Sequence, residues 1–189
     1  MRRPFFYVTN NRVKIEKAIK SKVKRDYFFT QGCLDIDYKY FIKEIDKGVN
    51  YNNNASYKTH VRGSMTSPNY FLKNIEFIKT IQPLLDYIDD TFKNAPAYNL
   101  NSAWGYKEGF AEYTREHNHG DCWLSGVIYL NKHTQKLIFP EIKQEVTPEV
   151  GKFILFSPYL LHKTKRNITE KIKYGLAFNW SSFHIFDSI

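Results

Sequence analysis

Glu116-His117-Asn118-His119-Gly120-Asp121 runs without a break into Cys122-Trp123-Leu124-Ser125-Gly126-Val127-Ile128-Tyr129-Leu130-Asn131. Three side chains able to ligate a metal stand at alternate positions, directly before an apolar segment with strand character. Alternate residues of an extended chain point to one face, so His117, His119 and Asp121 can converge on one point at the edge of a sheet. Farther on, Phe153-Ile154-Leu155-Phe156-Ser157-Pro158-Tyr159-Leu160-Leu161-His162 is a second apolar strand that ends in a lone histidine. Two close ligands and a distant one fix three positions about a metal and leave others for substrate, which is the economy of a catalytic site. His60, His133 and His184 stand outside this pattern and read as ordinary surface or core residues.

Outward from this stretch the chain is rich in short β-prone runs, at 99–106, 110–116, 122–130, 136–139, 144–146, 152–156 and 173–180. Gly109, Gly120, Pro140, Pro148, Gly151 and Pro158 punctuate them. Short strands at such spacing predict a sandwich or barrel. The first half reads differently. Tyr38, Phe41, Ile42 and Ile45 recur at helical spacing and predict a short helix, capped by Asp35 or Asp37 and ended by Gly48. An Asn-rich loop at 49–58 and a strand at 59–66 follow. From Ser67-Pro68-Asn69 a helical region begins, with Phe71, Leu72, Ile75, Ile78, Ile81, Leu84, Leu85, Ile88 and Phe92 on its period. Pro83 removes a backbone donor there and predicts a kink or two consecutive helices. Residues 4–31 read as one or two edge strands or an extended arm.

Helices come first and strands second, with no repeat or linker between them. The expectation is one domain over 1–189, with arm and supporting helices in 1–98 and a barrel in 99–182. Its 42% hydrophobic and 17% aromatic content excludes a disordered chain. No apolar run is long enough to span a membrane, and Met1-Arg2-Arg3 leads into too short an apolar stretch for a signal sequence. A cytoplasmic location is expected, in a prokaryote or in the host cell of a virus. Cys33 and Cys122 are too few for a disulfide framework.

The net charge of +9 points to an anionic partner, and its distribution is uneven. Seven basic residues lie between Arg12 and Arg25, opposed there by Glu16 alone, and Lys163, Lys165, Arg166, Lys171 and Lys173 follow the distal histidine. A nucleic-acid partner rests on charge alone, since the aromatic signatures of RNA-binding modules are missing. There is also no G-x-S-x-G elbow, phosphate-binding glycine loop or H-E-x-x-H.

The run from Trp104 to Asn179 resembles the non-haem Fe(II)/2-oxoglutarate-dependent dioxygenases, in particular their prolyl-hydroxylase-like branch. The matching pieces are Trp104-Gly105-Tyr106 with Gly109, His117-x-His119 and Ser125-Gly126-Val127-Ile128-Tyr129-Leu130. They continue through Pro148-x-x-Gly151-x-x-x-x-Phe156-Ser157-Pro158, His162 and Lys173-x-x-x-x-Phe178-Asn179. The resemblance implies a mostly β fold, a double-stranded β-helix of the jelly-roll or cupin-like kind buttressed by N-terminal helices. It implies an enzyme using Fe(II), 2-oxoglutarate and O2 to hydroxylate a substrate, with release of succinate and CO2.

It also implies roles. The widespread facial triad is two histidines and a carboxylate, which His119-Gly120-Asp121 would satisfy literally; the His-x-His branch instead makes His117, His119 and His162 the ligands, with Asp121 as the alternative. The cation for the distal carboxylate of 2-oxoglutarate would be Lys173, eleven residues after His162, or its neighbour Lys171. Lys173, Gly175, Ala177 and Asn179 share a strand face, and two of the four are small, as where a ligand approaches. Tyr129, which by alternation would face inward with Trp123, Ser125 and Val127, would bond 2-oxoglutarate, and Asn179 and Trp104 would line the pocket. The alternative reading is a cupin-like barrel that binds a metal or small anion without turnover. The substrate, a small molecule or a peptide with a lean to a peptide or amino-acid side chain, is left open, as are the oligomeric state and the specificity loops, placed at 49–58 and 132–148.

Overall fold

A computed structural model describes residues 13–23, 25–51, 60–93, 97–120 and 122–182. Asp121, His184, the first twelve residues and most of the Asn-rich loop lie outside the described residues. In chain order the elements are β1 (Val13–Val23), β2 (Arg25–Leu34), α1 (Tyr38–Tyr51), β3 (Ser64–Met65), α2 (Ile75–Thr91) and β4 (Tyr98–Glu108). They continue with β5 (Leu124–Tyr129), β6 (Leu137–Phe139), β7 (Gln144–Val146), β8 (Lys152–Phe156), β9 (Lys163–Thr164) and β10 (Lys173–Ser182). All pairings are antiparallel. A seven-stranded sheet has the order β1-β2-β8-β5-β10-β4-β3, and a three-stranded sheet the order β7-β6-β9.

Period-two alternation on the central strands generates two separate cores. Leu176, Phe178 and Trp180 of β10, Leu124 and Ile128 of β5, and Phe153 and Leu155 of β8 face the helices, where they meet Phe41 and Ile45 of α1 and Phe77, Ile81, Leu84 and Ile88 of α2. The intervening residues Ala177, Val127, Tyr129, Ile154 and Phe156 face the other way, onto Leu137, Phe139 and Val146 of the small sheet. The result is a jelly roll closed by two facing sheets and backed by helices. Trp123, just ahead of β5, packs with the helix-side core rather than inside the barrel.

Several expectations are corrected. Asp37 caps α1, accepting from Tyr40 N at 3.1 Å, but the helix runs past Gly48 to Tyr51. A Cβ at Gly48 would lie 2.7 Å from the Tyr70 ring and 2.8 Å from Thr66 Cγ2, so this glycine serves close packing and not a helix end. Asn74 caps α2, which stays one helix through Pro83. Buried residues on both sides of the proline, Phe77 and Ile81 before and Leu84 and Ile88 after, hold the helix to one sheet face at the loss of one backbone bond. The strand expected at 59–66 contracts to Ser64–Met65.

The strand expected at 110–116 is irregular instead. Ala111 takes a left-handed φ of 63° and donates to Asn167 O at 2.7 Å. β2 is not an edge: it pairs with β8, while β1 forms the edge of the large sheet. β9, at Lys163–Thr164, lies outside the β-prone runs and is held by its pairing with β6.

Candidate metal centre

His117 and His162 meet in an isolated antiparallel bridge, and His119 N donates to Pro158 O at 2.7 Å. The convergence therefore comes from pairing with the segment that follows β8 and not from alternation along one strand. Among the described residues, His117, His119 and His162 form a group whose potential ligand atoms all lie within 4.8 Å of one another.

Hydrogen bonding fixes the tautomers. His117 Nδ1 faces Arg115 O at 2.8 Å and His162 Nδ1 faces Leu160 O at 3.0 Å. A backbone carbonyl can only accept, so both rings carry their proton on Nδ1. His119 Nδ1 likewise faces Asn179 Oδ1 at 2.8 Å, and Asn179 Nδ2 donates to Ser102 Oγ at 3.0 Å, orienting the amide. All three Nε2 lone pairs are thus left pointing inward. His119 Nε2 and His117 Nε2 are 3.2 Å apart with no proton between them. Two imidazoles at right angles about a metal with bonds of about 2.1 Å would place their nitrogens about 3 Å apart, so the pair fits a facial set.

The electrostatics agree. Burial pushes the His117 imidazole down to about 4 despite its bond to Arg115 O, and lowers His119 despite Asn179. His162, only 4% exposed, is held well below the ordinary range by burial and by its two histidine neighbours. Neutral imidazoles are the form a cation binds. Aromatic rings hold the geometry: Phe156 packs edge-on to His162 at 4.9 Å, and His60 stacks on His117 at 4.6 Å and 8°. His60, read from sequence as an ordinary residue, therefore belongs to the site; nothing local in the sequence marks it.

A cleft of about 400 Å³ opens over His117 and His119, lined by His60, Met65, Asn101, Ser102, Trp104 and Cys122. Asn101 sits where the β4–β10 register shifts, opposite Asn179 and Trp180. Such a bulge re-aims neighbouring side chains, here along the cleft lining. Asn179 also lines the cleft, while Ser125 Oγ donates to its Oδ1 at 2.9 Å.

The other expected residues lie deeper. Lys173 is 1% exposed and ion-paired to Glu108 Oε2, with Glu108 fully buried. Burial lowers the Lys173 pKa, and Glu108 opposes that shift. Lys171 is exposed and precedes β10. The Tyr129 hydroxyl is buried beside that of Tyr106 without hydrogen-bond geometry. At Gly175 a Cβ would fall 2.6 Å from the Tyr106 ring, so the small residue there makes room for that tyrosine and not for a ligand. Buried His133 is satisfied by Lys171 O and Gln135 N. The signal missed in the sequence is Glu108, a carboxylate at the end of the strand that carries Trp104 and Tyr106.

No protein-family model matches this chain. No curated protein matches it either. Solved structures do. The viral collagen prolyl hydroxylase of Paramecium bursaria Chlorella virus-1, as its 2-oxoglutarate complex, is similar with a TM-score of 0.65 at 17% identity, over 83% of this chain and 96% of that one. HygX of Streptomyces hygroscopicus, with nickel and 2-oxoglutarate bound, gives 0.60 at 12% identity over 82% and 83%. A Pseudomonas putida prolyl-4-hydroxylase gives 0.62 at 12% identity over 82% and 92%. The chain has the double-stranded β-helix fold these structures share. Among the described residues, no helix is long and apolar enough to cross a membrane.

Proposed function

We propose that this chain is an Fe(II)- and 2-oxoglutarate-dependent dioxygenase with His117, His119 and His162 as its metal ligands. The observation that carries the proposal is the trio of inward Nε2 lone pairs, each fixed by an acceptor on its own Nδ1. Three mutually facing lone pairs repel, and a divalent cation turns that repulsion into binding. The neighbours whose fold it shares include enzymes solved with 2-oxoglutarate and with nickel.

When bound, the iron and 2-oxoglutarate supply the oxidation: O2 and the 2-oxo acid yield succinate, CO2 and one oxygen atom inserted into a substrate C–H bond. The chain's own residues position and shield. Arg115 O, Leu160 O and Asn179 hold the imidazole orientations. Phe156 and Phe139 keep water from the inner side of His162. Tyr129, with its buried hydroxyl, and Lys173, which is shared with Glu108, are the donor and the cation nearest at hand for the distal carboxylate. An all-histidine set carries one negative charge fewer than two histidines and a carboxylate. The substrate presents its C–H bond in the cleft of His60, Trp104 and Asn101, and two neighbours being prolyl hydroxylases favours a peptide or amino-acid side chain.

One observation favours a second reading, a metal-binding barrel without turnover: Lys173 is already paired with Glu108. Anaerobic titration of Fe(II) with and without 2-oxoglutarate separates the two. A weak visible charge-transfer band in wild type that vanishes in His162→Ala supports the dioxygenase. Iron binding with no band under saturating 2-oxoglutarate supports the inert barrel.

A further inference from the structure

Glu108 and Lys173 face each other in register on β4 and β10. Their side chains are 0% and 1% exposed and form a closed ion pair. Glu108 does not depend on Lys173 alone, because its second oxygen accepts from Thr114 Oγ1 at 2.6 Å. Thr114 is itself fixed, its N donating to Thr164 Oγ1 at 2.8 Å. The carboxylate is thus built into the barrel wall and already sits on the cation that a dicarboxylate cosubstrate would use. Close by, the Tyr129 hydroxyl is buried beside that of Tyr106.

A second carboxylate arriving here would share one ammonium with Glu108. Like charges brought together in a desolvated site repel strongly. We infer that Glu108 competes with the distal carboxylate of the cosubstrate for Lys173, and so sets how strongly the barrel prefers a 2-oxo dicarboxylate over a 2-oxo monocarboxylate. The inference rests on the reading of the site as a 2-oxo-acid-dependent iron centre. In this role Glu108 is a specificity determinant: with it in place, most of the binding comes from the metal-chelating end, which any 2-oxo acid offers. Removing its charge releases Lys173 for the ligand.

The test is anaerobic calorimetry on the Fe(II)-loaded protein with 2-oxoglutarate and with 2-oxopentanoate, which carries a methyl group in place of the distal carboxylate. Wild type should bind the two within about tenfold of each other, and Glu108→Gln should bind 2-oxoglutarate at least about tenfold tighter with 2-oxopentanoate unchanged. Ligand stabilisation should follow: 2-oxoglutarate, unlike 2-oxopentanoate, should raise the Tm of Glu108→Gln more than that of wild type. If Glu108→Gln binds 2-oxoglutarate no tighter than wild type, Glu108 merely supports Lys173 and the inference fails. Should the variant not fold, wild type decides alone: near parity of the two acids supports the inference, and a preference of about a hundredfold for 2-oxoglutarate overturns it. If neither acid binds while iron does, the 2-oxo-acid reading falls, and the role of Glu108 with it.

Discussion

The backbones of His117 and His162 are locked to each other by a reciprocal pair of hydrogen bonds, His117 N to His162 O at 3.1 Å and His162 N to His117 O at 2.9 Å. Their rings lie 4.2 Å apart between centroids. Two residues far apart in the chain are thus held as neighbours by main chain alone, before any metal is considered. The site is preorganised, and the cost of bringing these imidazoles together is met by folding.

His162→Ala is expected to abolish tight Fe(II) binding while leaving the fold intact, because the backbone bridge survives the change. Chelator competition measures the first and circular dichroism the second. Retained affinity would mean that the imidazoles are not the ligand set.

Asn179→Ala should weaken metal affinity by about 10–100-fold through loss of the acceptor that fixes His119. Asn179→Asp, which still accepts from Nδ1, should keep most of the affinity. Equal losses in both variants would show that Asn179 acts through packing against Ser102 and Ser125.

Acid should destabilise the metal-free protein. Burial holds His117 at about 4, against 6.5 when exposed, and lowers His119 and His162 as well. Between those values the unfolded chain binds more protons than the folded one, so stability rises with pH. This contribution is complete above about 6.5 and is lost as pH falls towards about 4. Urea unfolding at several pH values should show that slope, and His117→Gln should flatten it.

Lys173→Met should cost about 3–5 kcal/mol, since it leaves the Glu108 carboxylate buried without its cation. The double variant Lys173→Met/Glu108→Gln should recover much of that loss. A urea-unfolding double-mutant cycle with no coupling between the sites would contradict the pairing.

Gly126→Ala should destabilise by about 1–3 kcal/mol, because its Cβ would fall 2.1 Å from the Phe178 ring. That ring packs against Phe77 of α2 at 5.7 Å and has little room to retreat. An unchanged unfolding midpoint would mean that the helix shifts to accommodate the methyl group.

The sequence by itself determined what is local. Alternation on β5 and β10 grouped Tyr129 with Val127 and Lys173 with Ala177, and helical spacing put Phe41 with Ile45, and Ile81 with Ile88, on single helix faces. Chain chirality and the burial of one face enforce those periods residue by residue. The motif also named the three histidines, yet it could not say how they meet. Only the tertiary structure decided that, through the bridge between segments 117–119 and 158–162. It alone stacked His60 on His117, gave Asn179 to His119 and paired Lys173 with Glu108. These partners are fixed by closure of the two sheets, which depends on every strand at once, so no single stretch of sequence carries them.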